Sequence, residues 1–470
     1  MLAAPTPLAP TVAPPPADEA DPALAWAGLA LAHEDGERWA EAAACYEAAL
    51  ALAPRRPALW LNLAGVLARL ARFAEAEAHY RAALALQPRS APAWSNLAAL
   101  LTGLHRDDEA LACGLQALQL DPGHAAARFN LALPLLRQGR WAEGLPCLEA
   151  RPGLAAMASQ LPLPRWDGGP LAGRSLLLVS DAGHGDLIQM ARYAPLLRRR
   201  GAARLVLAAP VALQRLLARG PAFDAVLDLA PALAQGCGLW APTLSLPHLC
   251  GTRVDTVPPP LPTLGPDAAR AAHWRAWLDA HCAQGQRRIG LVWRGDPRHQ
   301  NDAHRSLPSL AALAPLAALP GLCWISLQRG AGEDEPRQPG AALPVQALPA
   351  PLSDFDDTAA LVAGLDGVVG VDTATVHLAA SLGRPTGVLL PRHLTDWRWL
   401  QGRSDTPWYP GVMRLFRQTR PGDWAGPVQA LADALGQALA DALGQGLAGA
   451  LGPGRLSPGA APWAPGSAAA

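Results

Sequence analysis

Residues 175–193 read SLLLVSDAGHGDLIQMARY, and the fold turns on how this stretch is read. The segment 175–180 (SLLLVS) has the unbroken apolar pattern of a buried strand, Gly183 and Gly185 make a tight loop, and an amphipathic helix is expected over 186–199. RLVLAA at 204–209 is the next strand, and a short helix follows from about Val211. That strand–helix–strand rhythm implies a parallel sheet with helices on both faces. It restarts after the Pro-rich stretch VPPPLPTLGP at 257–266, where RIGLVW (288–293), LCWISL (322–327), GVVGV (367–371) and TGVLLP (386–391) read as strands. Two doubly wound halves place a ligand in the crevice at the carboxyl ends of their strands.

Upstream, a different period rules. Trp26, Trp60 and Trp94 are 34 residues apart, and so are Pro54, Pro88 and Pro122. Leu29, Leu63 and Leu97 follow the tryptophans, then Ala30, Ala64 and Ala98, with Ala42, Ala76 and Ala110 further on and Asn62, Asn96 and Asn130 in the same register. This is the tetratricopeptide pattern of two antiparallel helices per unit, in which small alanines allow close approach and proline ends the second helix. A fourth unit from about Ala125 keeps Leu131 and Ala132 but has Arg128 where tryptophan is expected. Cys45, Cys113 and Cys147 share one repeat position, which favours packing over metal binding. The array reads as a spacer or as a platform for a peptide or protein partner.

Composition narrows the remaining classes. The 470 residues carry 39 basic and 39 acidic side chains, so no bulk attraction to nucleic acid or anionic lipid is expected. There is no lysine, which excludes a Walker phosphate loop and a Schiff base and leaves arginine to do any cationic work. Seven cysteines without CxxC spacing suggest a reducing compartment. The leader MLAAPTPLAPTVAPPPADEAD lacks the layout of a signal peptide, no apolar run is long enough to span a membrane, and a cytoplasmic protein is expected.

Three segments map to the crevice. In AGHGD (182–186), a loop with two glycines feeds a helix N-terminus, and Asp186 is either a first-turn acid on the helix dipole or a catalytic base. In VWRGDPRHQNDAHRS (292–306), Arg294, Arg298 and Arg305 with His299 and His304 suit a diphosphate, or make a solvated polar loop. In LVAGLDGVVGVDTATVHLAASLGRP (361–385), a strand ends at Val371 and Asp372 and Thr373 form the turn. Thr373 as N-cap would leave the amides of Ala374 and Thr375 as a phosphate seat, with His377 either facing that seat or tied to a backbone carbonyl in the core. The acidic DFDD (354–357) reads as a helix start and not as a metal site. Trp397, Trp399 and Trp408 line a pocket or pack in the core.

In order and spacing, AGHGDLIQMARY, RIGLVWRGDPRHQNDAHRS, WISLQRG, DFDDTAALVAGLDGVVGVDTATVHLAASLG, DWRWL and DTPWYPGVMRLFRQ resemble bacterial tetratricopeptide proteins whose C-terminal part is similar to glycosyltransferase family 9, the ADP-heptose lipopolysaccharide heptosyltransferases. The resemblance covers about Trp166 to Trp424. It implies a GT-B fold of two Rossmann-like halves, with acceptor on the first, nucleotide-sugar donor on the second, and neither metal nor cofactor. It makes Asp186 the general base and Asp372, Thr373 and His377 the donor signature, and it puts Arg298 near the family's phosphate-neutralising lysine. Arg305, Gly183 and Gly185 are expected to contribute to the donor site as well. Ala374 replaces the signature glycine, and His184 and Leu187 also depart from the family's loop.

The expected chain is therefore multidomain α plus α/β. It has a Pro/Ala leader (1–20) read as disordered, tetratricopeptide repeats (21–152), a linker (153–172), an acceptor-side Rossmann-like half (173–265), a donor-side half (266–430) and a low-complexity tail (431–470), whose eight-residue period over 432–451 allows a helix weakened by its glycines. The expected function is a metal-independent, inverting glycosyltransferase acting on an acceptor, protein or glycan, recruited by the repeats. The alternative is a non-catalytic tetratricopeptide scaffold with a degenerate transferase-like domain; an epimerase is a distant third. The enzyme needs Asp186 and Arg298 within reach of one ligand, and failure of the two to converge on the crevice favours the scaffold.

Overall fold

The computed structural model describes residues 21–299 and 301–449. The expected leader and the last part of the tail lie outside the described residues. By its contacts the chain divides into two units: the first runs through Leu135 and includes Pro146–Pro152, and the second is Leu136–Leu145 with the residues from Gly153 onward.

Eight helices carry the repeats: α1 (Pro22–Asp35), α2 (Trp39–Leu52), α3 (Pro57–Arg69), α4 (Phe73–Leu86), α5 (Ala91–Gly103), α6 (Asp107–Leu120), α7 (Ala125–Arg137) and α8 (Trp141–Leu148). The repeating alanines are where two helices meet: Ala30, Ala42, Ala64, Ala76, Ala98 and Ala110 are all buried, with Leu63 and Leu97 between them. The tryptophans do more than fill space. The indole of Trp60 donates to Pro54 O (2.8 Å) and that of Trp94 to Pro88 O (2.9 Å). Arg128 makes the same link in the fourth unit, donating to Pro122 O (2.8 Å), so its guanidinium replaces the indole's hydrogen bond. The turn inside each repeat has a left-handed residue at the same period, Glu37, Ala71, His105 and Gly139, at φ of 54°, 58°, 59° and 79°. Only the last is a glycine, so the period is invisible to a search for glycines. Cys45 and Cys113 are buried in the helical core, and Cys147 packs against Leu111, Leu131 and Leu135.

The second unit holds two parallel sheets. The first contains β1 (Ser175–Val179), β2 (Arg204–Ala208), β3 (Ala225–Leu227) and β4 (Leu239–Pro242) in the order β3-β2-β1-β4. The second contains β5 (Arg287–Val292), β6 (Leu322–Ser326), β7 (Val345–Gln346), β8 (Gly367–Val371), β9 (Thr386–Leu390) and β10 (Met413–Arg417) in the order β10-β9-β8-β5-β6-β7. Counted within its own half, the second is the six-stranded Rossmann order, and the first is its four-strand core. The order reverses between β1 and β4 in one sheet and between β5 and β8 in the other.

The helices after the repeats are α9 (Leu154–Gln160), α10 (His184–Met190), α11 (Ala194–Arg199), α12 (Val211–Leu217), α13 (Leu229–Leu233), α14 (Leu246–Leu249), α15 (Ala268–His281), α16 (Asp302–Arg305), α17 (Phe355–Val362), α18 (Ala374–Ser381) and α19 (Ala425–Gly449). The single helix expected over 186–199 is instead α10, a 3₁₀ turn at Ala191–Tyr193, and α11. Pro195 at the start of α11 explains the break, since it offers no N–H to continue the helical ladder.

Three departures from the sequence reading follow from packing. The stretch taken as linker carries α9 and runs beside β4, where Trp166 N donates to Trp240 O (2.8 Å) and Trp240 N to Pro164 O (3.1 Å). Helix α19 continues past Ala430, where the tail was expected to begin, because Val428, Leu431, Ala432 and Leu435 sit in the core of the second sheet with Val369, Leu389 and Phe416. Cys282 and Cys323 are joined by a disulfide with Cα atoms 5.7 Å apart, linking the end of α15 to β6, although the cysteine spacing suggested a reducing compartment. Such bonds are rare in reducing compartments. Among the described residues no helix is long and apolar enough to cross a membrane.

Candidate functional site

The site is built at the two reversal points. After β1, Asp181 accepts from Thr243 Oγ1 (3.2 Å) and Leu244 N (3.0 Å), tying its loop to the loop after β4. Gly183 then caps α10, its N–H donating to Asp186 Oδ2 at 2.8 Å. So one oxygen of Asp186 does serve its own helix start. The other accepts from Arg398 Nη2, a residue 212 positions away on the loop after β9. Arg398 also donates through Nη1 to Asp396 Oδ2 (2.7 Å) and lies over the Trp397 ring. Its side chain is 6% exposed, against 26% for Asp186. Burial works against the guanidinium's charge, but Asp186 and Asp396 outweigh it and hold Arg398 above its ordinary range.

Across the crevice, β8 delivers Asp372, and α18 begins immediately after it. Asp372 accepts from the Trp399 indole (2.7 Å) and faces His377 Nε2 (3.6 Å). His377 is hydrogen-bonded to Tyr409 Oη through Nδ1 (3.1 Å) and stacks on Trp399. It is therefore buried, as one reading allowed, but tied to side chains and not to a backbone carbonyl. Burial alone would push His377 down, yet Tyr409 and Asp372 carry it up to about 9. Asp372 is held below the usual carboxylate range, since His377 and Trp399 overcome its burial. Thr373 occupies the N-cap position of α18 but turns its hydroxyl to Val371 O (3.2 Å), so no side chain caps the first amides of that helix.

Gly185 is where α10 meets α18. A Cβ added there would lie 2.9 Å from His377 Cδ2 and 3.2 Å from Ala374 Cα, too close for any side chain to fit without displacing backbone. Below this contact Arg192 is buried, donating to Trp408 O (2.8 Å) and Pro258 O (3.0 Å) with its guanidinium over the Tyr409 ring. Trp408 stacks on Trp141 and meets Trp397 edge-on, so these tryptophans pack as core.

The basic loop splits into two roles. Arg305 is drawn in: Nη1 donates to Asp372 O (3.2 Å) and Nε to Asp302 Oδ1 (3.2 Å). Arg298 is turned outward, 89% exposed, and its guanidinium is bonded to Asp296 (2.7 Å to Oδ2). None of its hydrogen bonds reaches Asp186 or Asp372, so the expected convergence of Asp186 with Arg298 is replaced by that of Asp186 with Arg398. Burial, with Arg305 beside it, lowers the His299 pKa, whereas burial alone lowers that of His304. Gln328, which sequence reasoning passed over, knits the loop to β6 by accepting from Trp293 N and Arg294 N (both 3.0 Å).

DFDD has a different role from that of a metal site. Asp354 caps α17, accepting from Asp357 N (2.9 Å), and Asp356 is buried against Arg219 (2.5 Å), with Arg270 (3.7 Å) and Arg215 (3.9 Å) beyond.

Comparison with known proteins agrees with this architecture. The tetratricopeptide-repeat family model matches residues 57–100, and that of glycosyltransferase family 9 (heptosyltransferase) matches residues 342–389, which include Asp372, Thr373, Ala374 and His377. The Protein FlbA of Caulobacter vibrioides is 30% identical over 330 residues, covering 64% of this chain and 53% of FlbA. The chain thus spans about half the length of that curated relative. Among solved structures, the first tetratricopeptide domain of RPAP3 bound to an HSP90 peptide is 28% identical, with a TM-score of 0.23, and the match covers 23% of this chain and 86% of that one. Pseudomonas aeruginosa pilF is 26% identical with a TM-score of 0.26, over 27% of this chain and 58% of that one. The chain carries tetratricopeptide repeats followed by a Rossmann-like region with a glycosyltransferase family 9 match.

Proposed function

We propose that the second unit is a glycosyltransferase that moves a sugar from a nucleotide diphosphate donor to an acceptor hydroxyl with inversion, and that the repeats recruit the acceptor, a protein or a glycan. The observation that carries this reading is the meeting of two helix starts at Gly185, one bearing Asp186 and the other following Asp372, at the reversal points of two Rossmann-like sheets. In the reaction Asp186 takes the acceptor's proton, the acceptor oxygen bonds to the anomeric carbon, and the bond to the diphosphate breaks with its electron pair on the leaving group. Arg305 and the first amides of α18, which lack a side-chain cap, offset the charge that grows on the diphosphate. Arg298, on the same loop, reaches the donor only by leaving Asp296.

A non-catalytic scaffold is the second reading, and two observations favour it: Arg298 is turned out onto Asp296 and does not converge with Asp186, and both oxygens of Asp186 are engaged, by Gly183 N and by Arg398. Incubation of the full chain with ADP-, UDP-, GDP-, CDP- and dTDP-sugars, followed by assay of released nucleoside diphosphate, separates the two. The enzyme releases one diphosphate, and Asp186→Asn lowers that rate by about a hundredfold or more. Binding of a diphosphate without any release from its sugar, in the presence of candidate acceptors, would leave the scaffold.

A further inference from the structure

We propose that Asp186 and the donor's diphosphate compete for one guanidinium, that of Arg398, so that donor binding is what frees the base. This rests on the transferase reading above and adds to it the order of events and the residue that enforces it.

Four observations point to it. First, Arg398 and Asp186 come from opposite halves, and the residue after Arg398, Trp399, donates to Asp372 Oδ2 (2.7 Å), which brings the Arg398 loop to the turn that starts α18. Second, Arg398 has an anchor that does not depend on Asp186. Asp396 receives Nη1 (2.7 Å) through Oδ2 and the Arg398 backbone N–H (2.8 Å) through Oδ1, so Nη2 can leave Asp186 without the loop moving. Third, the Nε of Arg398 is buried and has no hydrogen-bond partner, which leaves the guanidinium with donor capacity its two carboxylates do not use. Fourth, the chain contains no lysine, and the exposed Arg298 is held by Asp296, so Arg305 and Arg398 are the guanidiniums bonded at Asp372 and Asp186.

The chemistry sets the direction of the exchange. A diphosphate carries more charge than a carboxylate and offers several oxygens to a planar guanidinium fork, and the pairing is strengthened by burial. While Nη2 is on Asp186, it takes up a lone pair on Oδ1 and competes with an acceptor hydroxyl for that oxygen. When the diphosphate takes Nη2, that oxygen is released in the same event. The acceptor's proton then passes to Asp186, the acceptor oxygen bonds to the anomeric carbon, and the electron pair of the broken anomeric C–O bond leaves with the diphosphate, whose charge Arg398 and Arg305 take up. An acceptor is thus activated only in the presence of donor, which protects the site from deprotonating a hydroxyl with nothing to transfer.

The test is calorimetric titration of the full chain with ADP, UDP, GDP, CDP and dTDP and with the matching monophosphates. If the two anions compete, Asp186→Asn tightens binding of the recognised diphosphate by about tenfold while leaving its monophosphate nearly unchanged, a gain that no merely structural role would produce. Arg398→Gln weakens the diphosphate by about ten- to hundredfold, and in that background Asp186→Asn gives no gain. Arg398→Lys keeps the charge against Asp186 and Asp396, so a folded variant with intermediate affinity guards against a folding artefact. Diphosphate binding to the wild type with no gain in Asp186→Asn would overturn this inference alone. No binding of any diphosphate to any variant would overturn the donor reading and this inference with it.

Discussion

Replacing Gly185 by alanine puts one methyl group where the two helix starts meet. In an open helical position the change would stabilise the fold by about 0.5–1 kcal/mol, because alanine loses less backbone entropy. Here the new Cβ would stand 2.9 Å from His377 Cδ2 and 3.2 Å from Ala374 Cα, where ordinary carbon contacts need about 3.5–4.0 Å. Ala374 Cα is backbone and cannot rotate away, and His377 is held by Asp372, Tyr409 and Trp399, so α10 and α18 must separate by about half an ångström or more. Overpacking of this kind costs about 1–3 kcal/mol, more than the entropic gain. The expected net loss of about 1–2 kcal/mol lowers the melting temperature of the second unit by about 2–4 °C per kcal/mol, read by differential scanning calorimetry. Gly28 in α1 supplies the control: nothing lies within 4 Å of its added Cβ, so Gly28→Ala is expected to stabilise the repeats. A Gly185→Ala protein that melts at or above the wild-type temperature would refute the close approach on which the site is built.

Other perturbations reach other parts of the account. His377 is carried up to about 9 in the folded chain, so its contribution, on the order of 3 kcal/mol, is fully present below about pH 6.5 and lost as pH rises through 9; the second unit should melt progressively lower across that window, and His377→Gln should flatten the slope. Ala71→Gly removes a left-handed alanine at φ 58° and is expected to stabilise the repeats by about 0.5–1 kcal/mol in urea unfolding; a loss would show that the turn does not need that conformation. Asp356→Asn removes the buried carboxylate that faces Arg219, while Arg219 keeps Asp267 (3.2 Å), and should cost about 1–2 kcal/mol in the same assay; an unchanged midpoint would reduce the DFDD cluster to a surface ion pair.

The parts legible in the sequence were those with a period or a long apolar run. The 34-residue spacing of Trp26, Trp60 and Trp94 and the strands beginning near 175, 204, 288, 322, 367 and 386 were each readable because every residue repeats or buries. Strands β3 and β7 are three and two residues long, too short to carry a pattern, and β4 takes its place by pairing with β1, two strands earlier than its neighbour in sequence. Arg128 looked like a lost tryptophan because hydrogen-bond capacity, not shape, is what the position retains. At the site, Asp186, Asp372 and His377 were identifiable from the loops that present them. Arg398 was not, since its meaning depends on a partner 212 residues away and DWRWL alone does not say which carboxylate its guanidinium will find. Arg298 and Arg305 differ only in which way the loop turns them, which is a matter of tertiary structure and not of composition.

The central claim, that the crevice of the second unit binds a nucleotide diphosphate, is most directly tested by thermal-shift titration of the full chain with ADP, UDP, GDP, CDP and dTDP, beside an Arg305→Gln variant. At 100 times its dissociation constant the recognised diphosphate should add about 2.7 kcal/mol to the stability of the second unit, and Arg305→Gln should need a much higher concentration for the same shift. No shift with any of the five, under conditions where both units melt cooperatively, would contradict the claim.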